Sequence, residues 1–531
     1  MGGEDDNPEA NSSEKNNEGE IKILGRTISE WTESPAPDRA MIADHIYWTW
    51  YGKTYPKPAP QKQDLPGNKP VQDKAENPSK RWWIESPQEL QADEPGYLCE
   101  TCRHIDFKYL INNPVAQALE EIQLNSLAHV LENEKCAFCR LVASIRRDVV
   151  GGREIDTTVA EKPIMCSMRT FPIETDTRGP RQMSLFTLPT PDGIIGVSSI
   201  YSLTPKDDET SVSEVNGHKS VTIPHINYDW VKKWYNDCND GNCGLNPSKS
   251  CGREMPKSFR LIDVDSDCII HSVKKPRYVA LSYVWGAARA LRNTKGLRKD
   301  LEVKGSLLER ANELPNTIKD AISLTRKLGE RYLWVDSLCI IQDDPDDKAQ
   351  QIAAMDLIYS SATLTVAAAS GDTADAYLAG MTSNPREFCQ HIEKIQGIHL
   401  ANRPATFAQA IDEPVWNSRA WTLQERLLSP RVLFIGKQRC FFSCQHGQDV
   451  FIESDDVVES GLGRKYMPQV AKVYVTMMAS LGCINISSYH RVVKVYTSRQ
   501  LSFASDILNA FEGIVTGFRP LFKSDFVFGL P

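Results

Sequence analysis

Between residues 278 and 371, short apolar runs alternate with segments of helical periodicity, and this alternation constrains the fold more than any other feature of the chain. Tyr278-Val279-Ala280-Leu281-Ser282-Tyr283 is mostly apolar and ends at Trp285-Gly286, as suits a buried strand whose C-terminal end opens into a loop. Pro315 fits the first turn of a helix. Ile318, Ala321, Ile322, Thr325 and Leu328 follow at helical spacing, and Gly329 stops the run. Residues 332–336 read as a second buried strand. The acidic run Asp343, Asp344, Asp346, Asp347 leads into a helix carrying Ile352, Met355 and Tyr359, and 362–369 reads as a third strand. Strand–helix–strand–helix–strand at this spacing predicts right-handed crossovers and an α/β fold: a flavodoxin-like parallel sheet with helices on both faces. In open sheets of this kind a ligand binds beyond the carboxyl ends of the strands. Ser282, Tyr283, Trp285, Asp336 and Ser337 all fall at such ends.

The rest of the chain divides around this block. At 531 residues two or three folded units are expected. A hydrophobic fraction of 41% is enough for a packed core. Residues 1–95 read as a disordered and Pro-rich region, in which 33–80 is a semi-rigid spacer or a docking segment using Trp48 and Trp50. Residues 96–150 hold two CxxC pairs, with a helix expected over 113–131 between them. Residues 151–258 read as short strands and loops, 259–445 as the α/β domain, and 446–531 as a mainly helical segment. A net charge of −8 argues against a nucleic-acid partner. No window offers the ~20 apolar residues of a membrane helix, and the acidic N-terminus has no apolar signal core. A cytoplasmic protein without a membrane partner is expected, so its 14 cysteines are read as thiols or metal ligands before disulfides.

Cys99-x2-Cys102 and Cys136-x2-Cys139 can supply the four thiolates of a tetrahedral zinc site. Residues 103–135 separate the pairs, more than the ~15–20 residues of the simple pattern. The alternative is that Cys136 and Cys139 are small buried hydrophobes on a helix. Cys238, Cys243 and Cys251 lack a clear fourth ligand nearby. The acidic run at 343–347 lacks the glycine and terminal glutamate of a calcium loop, and favourable charge at a helix N-terminus explains it more simply. Cys339 sits in an apolar run and reads as core. No GxxxxGK[ST], HExxH or GxSxG string occurs.

Three strings resemble the signatures of the fungal heterokaryon-incompatibility (HET) domain, in that family's order. They are YVALSYVWG at 278–286, LPNTIKDAISLTRKLGERYLWVDSLCIIQDD at 314–344 continuing into IYSSATLTVAAASG at 358–371, and WNSRAWTLQERLLSPRVLF at 416–434. FRLIDV at 259–264 and YTSRQLSFASDILNAFEGI at 496–514 extend the resemblance more loosely. The family's chains typically continue past a segment like FVFGLP, so a truncated chain is expected. The resemblance implies signalling in non-self recognition and programmed cell death, by self-association or with another incompatibility protein. It also implies a remote likeness to Toll/interleukin-1 receptor (TIR) domains, because Trp421-Thr422-Leu423-Gln424-Glu425 resembles their Trp-x-x-x-Glu segment. On that likeness Glu425 is the catalytic carboxylate of an NAD-cleaving site. Tyr283, Trp285 or Trp421 would stack on its rings, and Arg419 or Arg426 would meet the pyrophosphate. The alternatives are an ion pair between Glu425 and Arg419 or Arg426, a capping role for Asp336, and a core role for the tryptophans.

Overall fold

The computed structural model of the protein describes residues 82–112, 122–149, 165–172, 181–187, 197–203, 224–239, 254–271, 276–286, 290–386, 390–402, 414–444, 450–453 and 486–522. It also describes two short strands at 22–23 and 26–27 and scattered positions between 404 and 411. Residues 1–20, the Pro-rich segment with Trp48 and Trp50, Cys243, Cys251 and the final 528–531 lie outside the described residues.

The N-terminal unit is built on β1 (Ile122–Ser126), helices α1 (Leu127–Glu132) and α2 (Ala137–Val149), and strands β2 (Met165–Pro172), β3 (Arg181–Thr187) and β4 (Val197–Leu203). The helix expected over 113–131 is corrected. Residues 122–126 pair antiparallel with β2, and α1 begins only at Leu127, where the Ser126 hydroxyl caps the His129 N–H at 3.2 Å. The signal was the alternation of buried Ile122 and Leu124 with exposed Gln123, a period of two rather than 3.6.

Helix α3 (Tyr228–Asn239) leads to the central sheet. Its strands are β5 (Arg260–Asp263), β6 (Cys268–His271), β7 (Val279–Ser282), β8 (Tyr332–Trp334) and β9 (Leu364–Ala367). Between them run α4 (Asn316–Leu328), α5 (Pro345–Ile352) and α6 (Met355–Ser361). Next come the hairpin β10 (Ile392–Ile395) and β11 (Ile398–Asn402), helix α7 (Ala420–Leu428), and strands β12 (Arg431–Ile435), β13 (Cys440–Cys444) and β14 (Val450–Ile452). Helices α8 (Ile486–Thr497) and α9 (Asn509–Phe522) follow.

The eight strands of the central sheet lie in the order β14-β13-β12-β9-β7-β8-β5-β6. The four central strands are parallel: β8, β7 and β9 as the alternation predicts, with β12 added beside β9. The outer pairs add antiparallel strands at both edges. Helices cover both faces. Val279, Leu281, Leu333, Leu364, Val366 and Leu433 belong to a core shared with α3 and α4. On the opposite face Trp334 meets Tyr359 of α6 edge-on at 5.5 Å, and the hydroxyls of Thr365 and Ser429 are 2.6 Å apart. Helix α4 starts behind Pro315 and stops at Gly329, whose φ of +82° closes the last turn with hydrogen bonds to the carbonyls of Arg326 and Thr325. The acidic run caps α5: the Asp344 carboxylate accepts the Asp346 N–H, and Asp347 pairs with buried Arg260 of β5.

The two units interlock. β11 pairs with β4, so the hairpin drawn from the later part of the chain completes a six-stranded antiparallel sheet, β10-β11-β4-β3-β2-β1. Arg140 of α2 grips the Glu393 carboxylate of β10 with two bonds of 2.7 and 2.8 Å. In the other direction, α3 of the 151–258 region packs its Trp234 on Phe442 of β13, 6.2 Å between ring centres. In the 446–531 region β14 completes the edge of the central sheet, and α8 and α9 follow. Leu423 and Leu427 of α7 are buried against Tyr489, Val492 and Tyr496 of α8 and Phe511 and Ile514 of α9. Among the described residues no helix is long and apolar enough to cross a membrane.

Candidate functional site

Ser282 ends β7, at the carboxyl edge of the parallel strands. Its hydroxyl donates to the Glu425 carboxylate of α7 and accepts the indole N–H of Trp416 at 2.8 Å. Two remote residues reach it because the backbone breaks between a short helical turn, Val415–Ser418, and α7. The break is pinned by the Thr422 hydroxyl, 2.8 Å from the carbonyls of both Trp416 and Arg419. Arg499, just after α8, clasps it from outside: its guanidinium donates to the Arg419 carbonyl at 3.0 Å and to the Asn417 side chain at 2.8 Å. The loosely matching segment downstream is thus part of the site's frame.

The network continues along the strand ends. Arg419 donates to the Tyr283 carbonyl at 2.5 Å, and the Tyr283 hydroxyl donates to Ser337 at 3.0 Å. Asp336 opens a helical turn after β8 and accepts two bonds of 2.7 Å, from the Trp285 indole N–H and from the Ser337 amide. It is the first residue of that turn, behind Val335 at the N-cap, and is half-buried at the edge of the site. Arg292 lies over the Trp285 ring, 5.2 Å from its centre.

Burial dominates the electrostatics. Glu425 is 6% exposed, and desolvation pushes its carboxyl up to about 7 against the opposing pull of the Arg419 charge and the Ser282 hydrogen bond. Desolvation likewise raises Asp336, opposed by the Trp285 bond and Arg419. Arg419 acts on Glu425 through its charge, and Arg426 lies over the Phe407 and Phe434 rings, 5.4 Å from each centre. A carboxyl that titrates near neutrality, held by a hydroxyl beside a second raised carboxyl and a guanidinium, can exchange a proton or stabilise a nearby cation.

Ser282, Tyr283, Trp285, Asp336, Arg419 and Glu425 are therefore brought together. Trp421 is half-buried between the central core and the cluster under α8 and α9, an apolar packing position. Ser337, placed at a strand end by the sequence, joins that network through the Tyr283 hydroxyl. Trp416, Tyr359 and Arg499 carry no such signal: the first two lie inside the matching strings but look apolar or generic there, and Arg499 lies in the loose one. The Tyr359 hydroxyl, which donates to the Leu281 carbonyl at 3.1 Å, lies near enough to Glu425 to oppose the rise of its carboxyl. Far from this edge, Cys99, Cys102, Cys136 and Cys139 converge in the core of the N-terminal unit, their sulfurs all within 4.8 Å of one another. Cys238 instead accepts the Arg431 Nε–H at 3.0 Å, and Cys339 is fully buried core.

Most of the segment that forms this edge matches a known protein family. The model of the family "Heterokaryon incompatibility protein (HET)" covers residues 278–425, from the start of the β7 run to Glu425 itself. Over that stretch the chain is similar to the HET domain. It is 26% identical over 194 residues to heterokaryon incompatibility protein 6, OR allele, of Neurospora crassa. That alignment spans 30% of this chain and 28% of the relative's length. No solved structure matches the chain.

Proposed function

We propose that the protein acts in fungal heterokaryon incompatibility, its HET domain converting non-self recognition into programmed cell death. The partner is a second copy or another incompatibility protein, met in the cytoplasm. The observation that carries the reading is that all three matching blocks meet in one buried polar network, Ser282–Glu425–Trp416 with Tyr283, Asp336 and Arg419. Apolar residues of similar volume would fill that space without the desolvation cost of two carboxyls. Sites that keep such groups are disproportionately functional. The name of the Neurospora relative points the same way. Inducible expression in a filamentous fungus tests it. Wild-type protein is expected to arrest growth and admit a vital dye, and Glu425→Ala at equal abundance is expected to lose most of that effect. Equal killing by both, or none by wild type, overturns the reading.

A second reading, TIR-like cleavage of NAD, is favoured by the environment of Glu425. An ionised carboxylate stabilises the oxocarbenium-like transition state of glycosidic cleavage. With its carboxyl pushed up to about 7, the active anion accumulates as pH rises through that value. Nicotinamide release by concentrated protein should therefore climb across neutrality and vanish in Glu425→Gln. No release at any pH removes this reading and leaves the first standing.

A further inference from the structure

We propose that Cys99, Cys102, Cys136 and Cys139 bind one zinc(II) ion in a closed, structural tetrathiolate site. All four side chains are buried, at 6%, 3%, 0% and 2% exposure. The Cys139 sulfur lies 3.9 Å from that of Cys99 and 4.0 Å from that of Cys102, and all four fall within 4.8 Å of one another. With zinc–sulfur bonds near 2.3 Å, tetrahedral geometry puts neighbouring sulfurs about 3.8 Å apart. The observed spacing is close to that and far beyond the ~2.05 Å of a disulfide. Thiols acting only as small hydrophobes gain nothing by meeting, since S–H is a weak donor and sulfur a weak acceptor. Here four meet, from two segments distant in sequence.

The local backbone suits a metal. Cys99 and Cys102 flank a tight turn in which the Arg103 amide donates to the Cys99 carbonyl at 3.0 Å, and a 3-10 turn, Cys102–His104, follows. The other pair opens α2, where the Cys139 amide donates to the Cys136 sulfur at 3.5 Å and the Asn133 side chain accepts the Cys136 amide at 3.2 Å. An amide aimed at a ligating sulfur offsets the charge that sulfur carries. Four thiolates around zinc hold a net charge of −2, and Arg140 brings a guanidinium directly after Cys139 in the chain. Binding releases the thiol protons to solvent, so acid loosens the site. With four protein ligands and no exposed face the ion has no open position, which makes the site structural rather than catalytic. Its effect would pass through α2: Arg140 follows Cys139 directly and holds Glu393 of the β10–β11 hairpin, so the metal would brace the joint between the two units.

Elemental analysis of the full-length chain, purified under reducing conditions without added metal, tests the proposal. About one zinc per chain is expected. Exchange with cobalt(II) should give the visible bands and thiolate-to-metal charge transfer of a tetrahedral sulfur site. Cys136→Ser and Cys139→Ser should lose the metal, while Cys268→Ser, a buried thiol on β6, should keep it. Should the first two variants not fold, wild-type protein decides. A mercurial that titrates thiols should release the zinc in step with four cysteines, and hydrogen exchange across 392–402 should then rise. A folded wild-type chain with no metal overturns the proposal, and so does recovery of these four cysteines as disulfides.

Discussion

Glu425 has a folded-state pKa of about 7 against an ordinary 4.5, and the sign of its effect on stability follows. Below pH 4.5 the group is protonated whether the chain is folded or not, and it costs the fold nothing. As pH rises the unfolded chain gives up the proton first, so the folded state loses stability until about pH 7, after which the loss is constant. At 1.36 kcal/mol for each pH unit between the two values, the loss is on the order of 3 kcal/mol. Glu425→Gln keeps an acceptor for the Ser282 hydroxyl and removes the titration. Urea unfolding of the variant should show a shallower fall in stability between about pH 5 and pH 8 than wild type. Asp336 and Asp320, both raised by burial, leave it some residual slope. An equal or steeper slope would mean that Glu425 is not desolvated as described.

At the scale of elements, α7 is pressed between the sheet and the two C-terminal helices, and the contact is closest at Gly513 of α9. Its amide donates to the Gln424 side chain at 3.0 Å. A Cβ there would fall 2.5 Å from Asp356 Cβ, 2.6 Å from Gln424 Oε1 and 2.8 Å from Leu428 Cδ1. Gly513→Ala should therefore cost about 1–3 kcal/mol through overpacking despite its better helix propensity. The same change at Gly517, which has no neighbour within 4 Å, should be neutral or stabilising. Thermal melts of the two variants separate these outcomes. The buried pair Arg386–Glu453, 2.6 Å apart, ties the loop after β9 to the residue following β14. The Glu453 carboxylate also accepts the amides of Cys440 and Asn227, at 2.7 and 2.6 Å. Glu453→Ala strands a buried guanidinium and should cost about 3–5 kcal/mol, read as a lowered urea midpoint. The start and stop of α4 were legible because Pro315 and Gly329 act locally. The contact at Gly513 was not, since a glycine inside a helix carries no mark of what approaches it.

Across the whole molecule, the HET region and the N-terminal unit share a sheet. A fragment of residues 254–522 would carry β10–β11 without β4, leaving the backbone of β11 unpaired along one edge. Unpaired edges recruit other chains, so the fragment should elute as larger assemblies in size-exclusion chromatography than the full chain at the same concentration. A monodisperse fragment would show that the shared sheet is dispensable. Residues 254–522 extend well beyond the stretch matched by the family at both ends: Arg260 of β5 holds Asp347 from before it, and Arg499 holds the Arg419 backbone from after it. Periodicity by itself was enough for the parallel centre of the sheet, the limits of α4 and the strand ends where Ser282 and Asp336 lie. Each of those depends on side chains within a few residues of one another. Only the tertiary structure decided that the Ser282 hydroxyl meets Glu425, that four cysteines close on one point, and that the hairpin at 392–402 belongs to the other sheet. Those contacts join segments far apart in sequence, and no local pattern encodes which distant partner a buried group will find.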